Sequence, residues 1–235
     1  KYRSLYNCPQ PFELSEPRCR MPELPEVEVV RRQLENRILG ATIQRILVGR
    51  HDIVRHGLDK LQWYLGARVT DVQRLGKSVA LVTSHKNESR YFVAELGMTG
   101  LLLFERKSVP SETHLHVTIQ LSDCQQAALY YWNARRFGGL YLFNENEWVA
   151  YQKRRFGADP LTLLEREFVA LVKNFRGRVK VLLLNQCLIA GIGNIYANEM
   201  LFRAGIHPHA RGSRLSKKRI QLLFDWMPVS YTHLT

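Results

Sequence analysis

The stretch Met21-Pro22-Glu23-Leu24-Pro25-Glu26-Val27-Glu28 gathers groups able to do covalent chemistry. If Met21 is the initiator and is removed, the ring nitrogen of Pro22 becomes a free secondary amine. An α-amino group titrates near pH ~8, so a useful fraction is unprotonated at neutrality and can attack an aldehyde-like sugar carbon to form an iminium. Inside a chain the same nitrogen is an amide and does none of this. Glu23 lies one residue away as a candidate acid, and Glu26 is a second carboxylate at the same helix start. The bland alternative is a well-made helix: proline at the first position loses no hydrogen bond, and acids suit the positive end of the dipole.

Positioning these groups falls to the elements around them. Val27, Val30, Leu34 and Ile38 recur at helical spacing, which predicts a helix over 23–39 stopped by Gly40. Short alternating runs at 42–48, 68–73, 78–83, 91–94, 101–105, 116–121, 127–132 and 140–143 predict strands. So many strands without long helices between them indicate an antiparallel sandwich or barrel. The pattern breaks over 151–160, where Pro160 excludes helix from the preceding residue. Helices are predicted at 164–173, 179–185, 194–204 and 215–226, the last cut off by Pro228, and Leu182, Leu183, Leu188 and Ile189 form the apolar centre of a second domain. The class is α+β with more than one domain.

The 235 residues carry 34 Lys and Arg against 21 Asp and Glu, a net charge of +13. The excess is spread along the chain, which favours a polyanionic partner, nucleic acid first. A basic membrane-surface protein is the competitor, but there is neither a long apolar run nor a basic amphipathic helix with an aromatic face. Cys8, Cys19, Cys124 and Cys187 lie far apart with no Cys-x-x-Cys pair. Neither a disulfide framework nor a zinc site is written there, and a reducing cytoplasm is the default. Residues 1–20 hold three prolines, two cysteines and no periodic apolar pattern or signal-like core. They are expected to be an extraneous extension upstream of a genuine start at Met21.

Other groups could bind. Lys77 opens a strand in Gly76-Lys77-Ser78, and Glu95-Leu96-Gly97-Met98-Thr99-Gly100 reads as a tight turn. His114 and His116, two apart on a predicted strand, share a face but lack a third metal ligand. Asn133-Ala134-Arg135-Arg136-Phe137-Gly138-Gly139 reads as a hairpin tip. Two arginines and an exposed aromatic there have a further use. An enzyme acting on a base within a duplex must flip it out, at a few kcal/mol, and an inserted apolar wedge recovers part of that. Gly191-Ile192-Gly193-Asn194-Ile195-Tyr196 brings bare amides to a helix start, an anion site suited to phosphate.

Three of these motifs converge. Met-Pro-Glu-Leu-Pro-Glu-Val-Glu, Arg135-Arg136-Phe137-Gly138, and the run from Gly191 to Glu199 with Ala204-Gly205-Ile206-His207-Pro208 resemble the formamidopyrimidine-DNA glycosylase family over about residues 21–227. The sister endonuclease VIII branch usually has Gly where Leu24 stands. The resemblance implies a two-sheet antiparallel β-sandwich with a leading helix over 21–150, a linker at 151–160, a helix-two-turns-helix domain over 161–227 and a non-family tail at 228–235. It implies a bifunctional glycosylase and lyase that excises oxidised purines (8-oxoguanine, formamidopyrimidines) through a Schiff base and cuts the strand by successive eliminations. In that reading Pro22 is the nucleophile, Glu23 the acid, Glu26 an auxiliary carboxylate, and Lys77 the contact to the phosphate beside the lesion. Met98 fills the hole left by the extruded nucleotide and Phe137 is the wedge. Arg135 meets the orphaned base with Arg136 beside it, while His114, Gly193, Asn194 and Tyr196 contact the backbone.

The sequence departs from the family at Asn133-Ala134, where Asp-Pro is common. The family's base-capping loop and four-cysteine zinc finger are not recognisable, so an incomplete chain with a foreign tail and no encoded metal or cofactor is expected, against one structural zinc in full-length members. The implied partner is double-stranded DNA with oxidised purines or abasic sites, met by a monomer in a bacterial-type, nucleoid-containing cytoplasm and not at a membrane. The alternative from another class is a non-catalytic binder of damaged DNA or structured nucleic acid, because helix-two-turns-helix elements also occur in ribosomal and topoisomerase proteins.

Overall fold

A computed structural model describes residues 22–232, with side chains as far as Met227; the expected extension at 1–20 and the last three residues of the expected tail lie outside the described residues. The leading helix α1 spans Leu24–Ile38. Pro25 sits in its first turn, the Glu26 carboxylate accepts the Glu23 amide at 3.0 Å, and Gly40 turns the chain out at φ +84°. Its buried face carries Val27, Leu34 and Ile38.

Nine strands follow: β1 Thr42–Val48, β2 Val54–His56, β3 Arg68–Leu75, β4 Ser78–His85, β5 Glu88–Glu95, β6 Gly100–Leu103, β7 Leu115–Ser122, β8 Ala128–Asn133 and β9 Gly139–Asn144. Their order is β2-β9-β5-β4-β3-β1-β7-β8-β6, antiparallel except for β2 against β9. The strands from β2 to β3 and those from β1 to β6 close over a shared core. Val72, Leu81, Phe92 and Leu142 come from the first group, Ile43, Val117, Ile119 and Leu129 from the second, and the buried face of α1 joins them. The expected β layers and leading helix are present. In hydrogen bonding, however, the layers form one sheet, joined where Ile43 N donates to Ala67 O at 2.9 Å and Val69 N to Ala41 O at 2.8 Å.

Helix α2, Glu145–Arg155, occupies the start of the segment expected to be linker. Asn144 and Glu147 cap it reciprocally, each side chain accepting the other's amide at 2.9 Å. Its buried residues are Trp148 and Tyr151, which pack with Phe143. A stripe of two aromatics is too short to register as periodicity. Helices α3 Glu165–Asn174, α4 Val179–Leu184, α5 Asn194–Arg203 and α6 Lys217–Thr232 enclose a second core of Phe168, Val172, Leu183, Met200, Leu201 and Leu223. α6 continues through Pro228 instead of stopping there. The proline removes one backbone donor, and the buried Ile220, Leu223 and Met227 have already seated the helix.

The β and helical parts meet close to the start of α1. Leu24 belongs to the helical core, and its amide donates to Gly191 O at 3.0 Å. The Arg74 side chain, 6% exposed, reaches Glu28 at 3.0 Å and Asp159 at 2.6 Å, tying β3 to α1 and to the segment before α3. Among the described residues no helix is long and apolar enough to cross a membrane.

Candidate active site

The chain on either side of α1's start and α5's start is cross-braced. Glu23 is 2% exposed. Its carboxylate accepts the amides of Gly193 at 3.0 Å, Ile195 at 2.9 Å and Tyr196 at 3.2 Å. The anion site predicted from the glycines is therefore real in geometry, but its occupant is Glu23 rather than a phosphate. Gly193 is required for space: a Cβ there would lie 2.3 Å from Glu23 Cδ and 2.6 Å from Lys77 Nζ. That measurement also places Lys77 beside the Glu23 carboxylate. Asn194 is exposed at the same helix start, where its side chain can reach a ligand.

Glu26 returns the brace. One of its oxygens holds the Glu23 amide and the other accepts the Tyr196 hydroxyl at 3.2 Å. Burial raises the Glu26 pKa, its hydrogen bonds oppose this, and the neighbouring Glu23 adds to the rise. Burial likewise raises the Tyr196 phenol, with Glu26 contributing. Burial lowers the Lys77 ammonium against the pull of Glu23 and Glu26. Pro22, buried and joined to Glu23, completes the cluster. In this chain its nitrogen is still a peptide nitrogen, so the amine exists only after cleavage between residues 21 and 22.

The remaining predicted residues lie at one end of the sheet. Ser78 pairs with Glu95 and Glu95 with Gly139, while Gly100 pairs with Asn133. This register brings Lys77, the turn at 96–99 and the segment 134–138 together. β8 and β9 do not pair with each other, so 133–139 is a crossover between the two groups of strands and not a hairpin tip. Its path needs glycine at close approaches: a Cβ on Gly97 would meet Gly138 N at 2.5 Å, and one on Gly138 would meet Glu95 O at 2.0 Å. At the crest Arg135, Arg136 and Phe137 are exposed, Phe137 at 67%, and Met98 is half-buried alongside. Arg136 is drawn to Asp52 at 3.2 Å.

His114 ends a 3-10 turn, Glu112–His114, rather than lying on the strand with His116. Its ring stands edge-on to Trp132 at 5.8 Å and 6.5 Å from the ring of His116. His116 is buried, which lowers its pKa, and its Nε2 lies 2.9 Å from Asn133 O. Among the described residues no three potential ligands converge on a metal, and Cys124 and Cys187 are free thiols.

Sequence reasoning overlooked Thr99 and Asn133, buried polar residues that hold the crossover, and Glu95. The Glu95 carboxylate accepts Tyr141 at 3.0 Å, Tyr151 at 2.7 Å and Arg155 at 2.7 Å, which docks α2 behind the site. Their signal was faint: one departure from a motif and one glutamate ending a strand.

Most of the chain is similar to known proteins. Residues 21–140 match the family model for the formamidopyrimidine-DNA glycosylase N-terminal domain, and 156–228 match that for the formamidopyrimidine-DNA glycosylase H2TH domain. The chain is 37% identical over 204 residues to formamidopyrimidine-DNA glycosylase of Syntrophomonas wolfei, covering 86% of this chain and 73% of that protein. It is 34% identical over 209 residues to the enzyme of that name from Lactococcus lactis, covering 87% and 75%. The fold superposes on Lactococcus lactis Fpg in complex with DNA containing an abasic site, with a TM-score of 0.80 and 30% identity over 89% of this chain and 77% of that one. A complex of the same Lactococcus protein with DNA containing an oxidised pyrimidine matches equally, at 0.80 and 30%.

Proposed function

The chain belongs to the formamidopyrimidine-DNA glycosylase family, and from that premise we propose that it is a DNA glycosylase of base excision repair that removes oxidised purines and cuts the strand at the resulting abasic site. One observation carries the reading. Pro22-Glu23 is held on the amino end of α5 by three amides, beside Lys77, at the end of the sheet that bears Arg135 and Phe137.

The reactive form begins at Pro22. Its amine attacks the sugar's anomeric carbon, forming a C–N bond as the bond to the damaged base breaks and the base leaves. Opening of the sugar ring converts the adduct to an iminium and places a proton on the ring oxygen. As the C–N bond forms the Glu23 carboxylate takes the proton that the amine releases and passes it to the ring oxygen as the ring opens, and proton transfer by a positioned group contributes ~10² to 10⁴ in rate. Glu26 accepts the Glu23 amide and so holds the residue that carries the acid in place. The iminium acidifies the adjacent sugar proton, and its loss expels the 3′ phosphate; a second elimination expels the 5′ phosphate. Lys77 and Asn194 hold backbone phosphates, Phe137 and Met98 fill the vacated stack, and Arg135 meets the orphaned base. His114 supports the backbone from the neighbouring turn.

Pro22, Glu23 and Lys77 thus come from the amino-terminal β part and Asn194 from the helical part, and the protein acts as a monomer on duplex DNA in a bacterial-type cytoplasm. A duplex carrying 8-oxoguanine opposite cytosine tests this. Protein beginning at Pro22 should leave a one-nucleotide gap with phosphate at both ends, and Pro22→Gly should slow the cut while retaining binding. Binding without incision by the Pro22 form would identify a non-catalytic binder instead.

A further inference from the structure

The helical part sets arginine beside glycine twice, as Arg176-Gly177-Arg178 before α4 and as Arg211-Gly212-Ser213-Arg214 between α5 and α6. The two segments are clasped. Gly212 N donates to Gly177 O at 3.2 Å, Val179 N to Ala210 O at 2.8 Å and Ser213 N to Phe175 O at 3.2 Å, so Arg178 and Arg211 stand opposite each other in an antiparallel bridge. Glycine permits the approach, because a Cβ on Gly212 would meet Val172 O at 2.6 Å. In a pair flanked by such bonds the side chains come closest, with Cβ atoms about 5 Å apart on one face. All four arginines are exposed.

Like charges directly opposite each other are destabilising, and other arginines of this chain are neutralised. Arg31, Arg74, Arg155 and Arg203 each hold a carboxylate at 2.6 to 2.8 Å. Arg176, Arg178, Arg211 and Arg214 pair with no carboxylate of the described residues. The charge continues into α6, which opens on Lys217-Lys218-Arg219 with no acid in its first turn, although that end of a helix favours acids. Cations gathered against their own repulsion break a local rule with no compensating contact in the fold, which points to an anion outside it.

The clasp lies away from the proposed active site. α5 opens at Asn194 beside Glu23 and runs for 10 residues, about 15 Å at the helical rise, and Arg211 follows its far end. We propose that the two Arg-Gly segments bind the phosphodiester backbone of a second duplex segment while the first occupies the active site. Guanidinium forks match phosphate oxygens in pairs. Neither segment carries an aromatic or aliphatic side chain to anchor a membrane. A distant stretch of the same DNA is also the polyanion held at highest effective concentration around a bound enzyme. This rests on the reading of the protein as a DNA-repair enzyme, and it supplies a grip for passing between segments.

The full chain is loaded with a short duplex bearing a tetrahydrofuran abasic analogue, which does not react, and titrated with a fluorescein-labelled undamaged duplex whose anisotropy reports capture. Each phosphate neutralised contributes about −0.9 to the slope of log affinity against log salt. Changing Arg176, Arg178, Arg211 and Arg214 together to Gln should therefore make the slope shallower by about 3 to 4 and weaken capture about tenfold or more. Affinity for the first duplex should stay the same, and the melting temperature should hold or rise as the repulsion is relieved. No capture by the unaltered complex, or equal capture by the variant, overturns the proposal. So does a melting temperature that falls together with capture, which marks a structural role. Displacement by phosphatidylserine vesicles or polyglutamate at a lower charge concentration than by unlabelled duplex also overturns it, and assigns the surface to a membrane or an acidic protein. Capture that the variant loses, from a protein with no preference for the abasic analogue, upholds this surface and refutes only the repair reading.

Discussion

Gly193→Ala is the sharpest perturbation of the site. The Gly193 backbone, at φ −117° and ψ −168°, suits any residue, so the whole effect is one of space. The new methyl would stand 2.3 Å from Glu23 Cδ and 2.6 Å from Lys77 Nζ, whereas comfortable carbon contacts need ~3.5 to 4.0 Å. Glu23 must retreat by more than about 1 Å, and its amide bonds of 2.9 to 3.2 Å stretch past hydrogen-bonding range. Overpacking of this kind costs about 1–3 kcal/mol, or several degrees in melting temperature for a chain of this size. The catalytic cost is larger, because displacing a reacting group by about 1 Å lowers the rate on the order of 100-fold. Gly205→Ala is the control. It has φ +62° and nothing within 4 Å of the added methyl, so it should cost about 1 kcal/mol of backbone strain and leave the rate alone. Single-turnover incision and calorimetry on both variants give the comparison. A wild-type rate for Gly193→Ala, or a slower one for Gly205→Ala than for Gly193→Ala, would refute the role given to Glu23.

Two further outcomes follow from the same contacts. Burial raises the folded-state pKa of Glu26, so the folded protein binds its proton more readily than the unfolded chain. Its favourable contribution is present in acid and lost as pH rises through the folded pKa; the melting temperature of the unaltered protein relative to Glu26→Gln should therefore increase as pH falls from 7 toward 4. A difference independent of pH would contradict this. Arg74→Met removes a 6% exposed guanidinium from two carboxylates. Breaking a buried pair costs about 3–5 kcal/mol, which the partial water access of Glu28 and Asp159 reduces to about 2; denaturant unfolding measures it, and an unchanged midpoint refutes the tie between the two parts.

Much of this architecture was legible because it rests on local periodicity. Val27, Leu34 and Ile38 announce α1, the alternation of β7 announces a strand, and the short apolar run of β4 announces one buried on both faces. β2 was invisible because three residues contain no period, and its pairing with β9 joins residues far apart in the chain. The crossover after β8 read as a hairpin because successive strands usually pair; nothing local shows that β8 and β9 pair with different neighbours. The anion site at Gly193 was evident from bare amides before a helix, but Glu23, 170 residues away, fills it, and only the packing of Leu24 on Gly191 reveals this. Glycines chosen for close approach, as at Gly138 and Gly193, look like turn residues until their neighbours are seen.

Borohydride trapping addresses the chemistry directly. Protein beginning at Pro22, mixed with a duplex bearing a natural abasic site and reduced in place, should yield a stable covalent complex whose peptide mass maps the sugar to the Pro22 nitrogen, and Pro22→Gly should alter its yield. A complex mapped instead to Lys77, or no complex at all from protein that binds the duplex, would contradict the account.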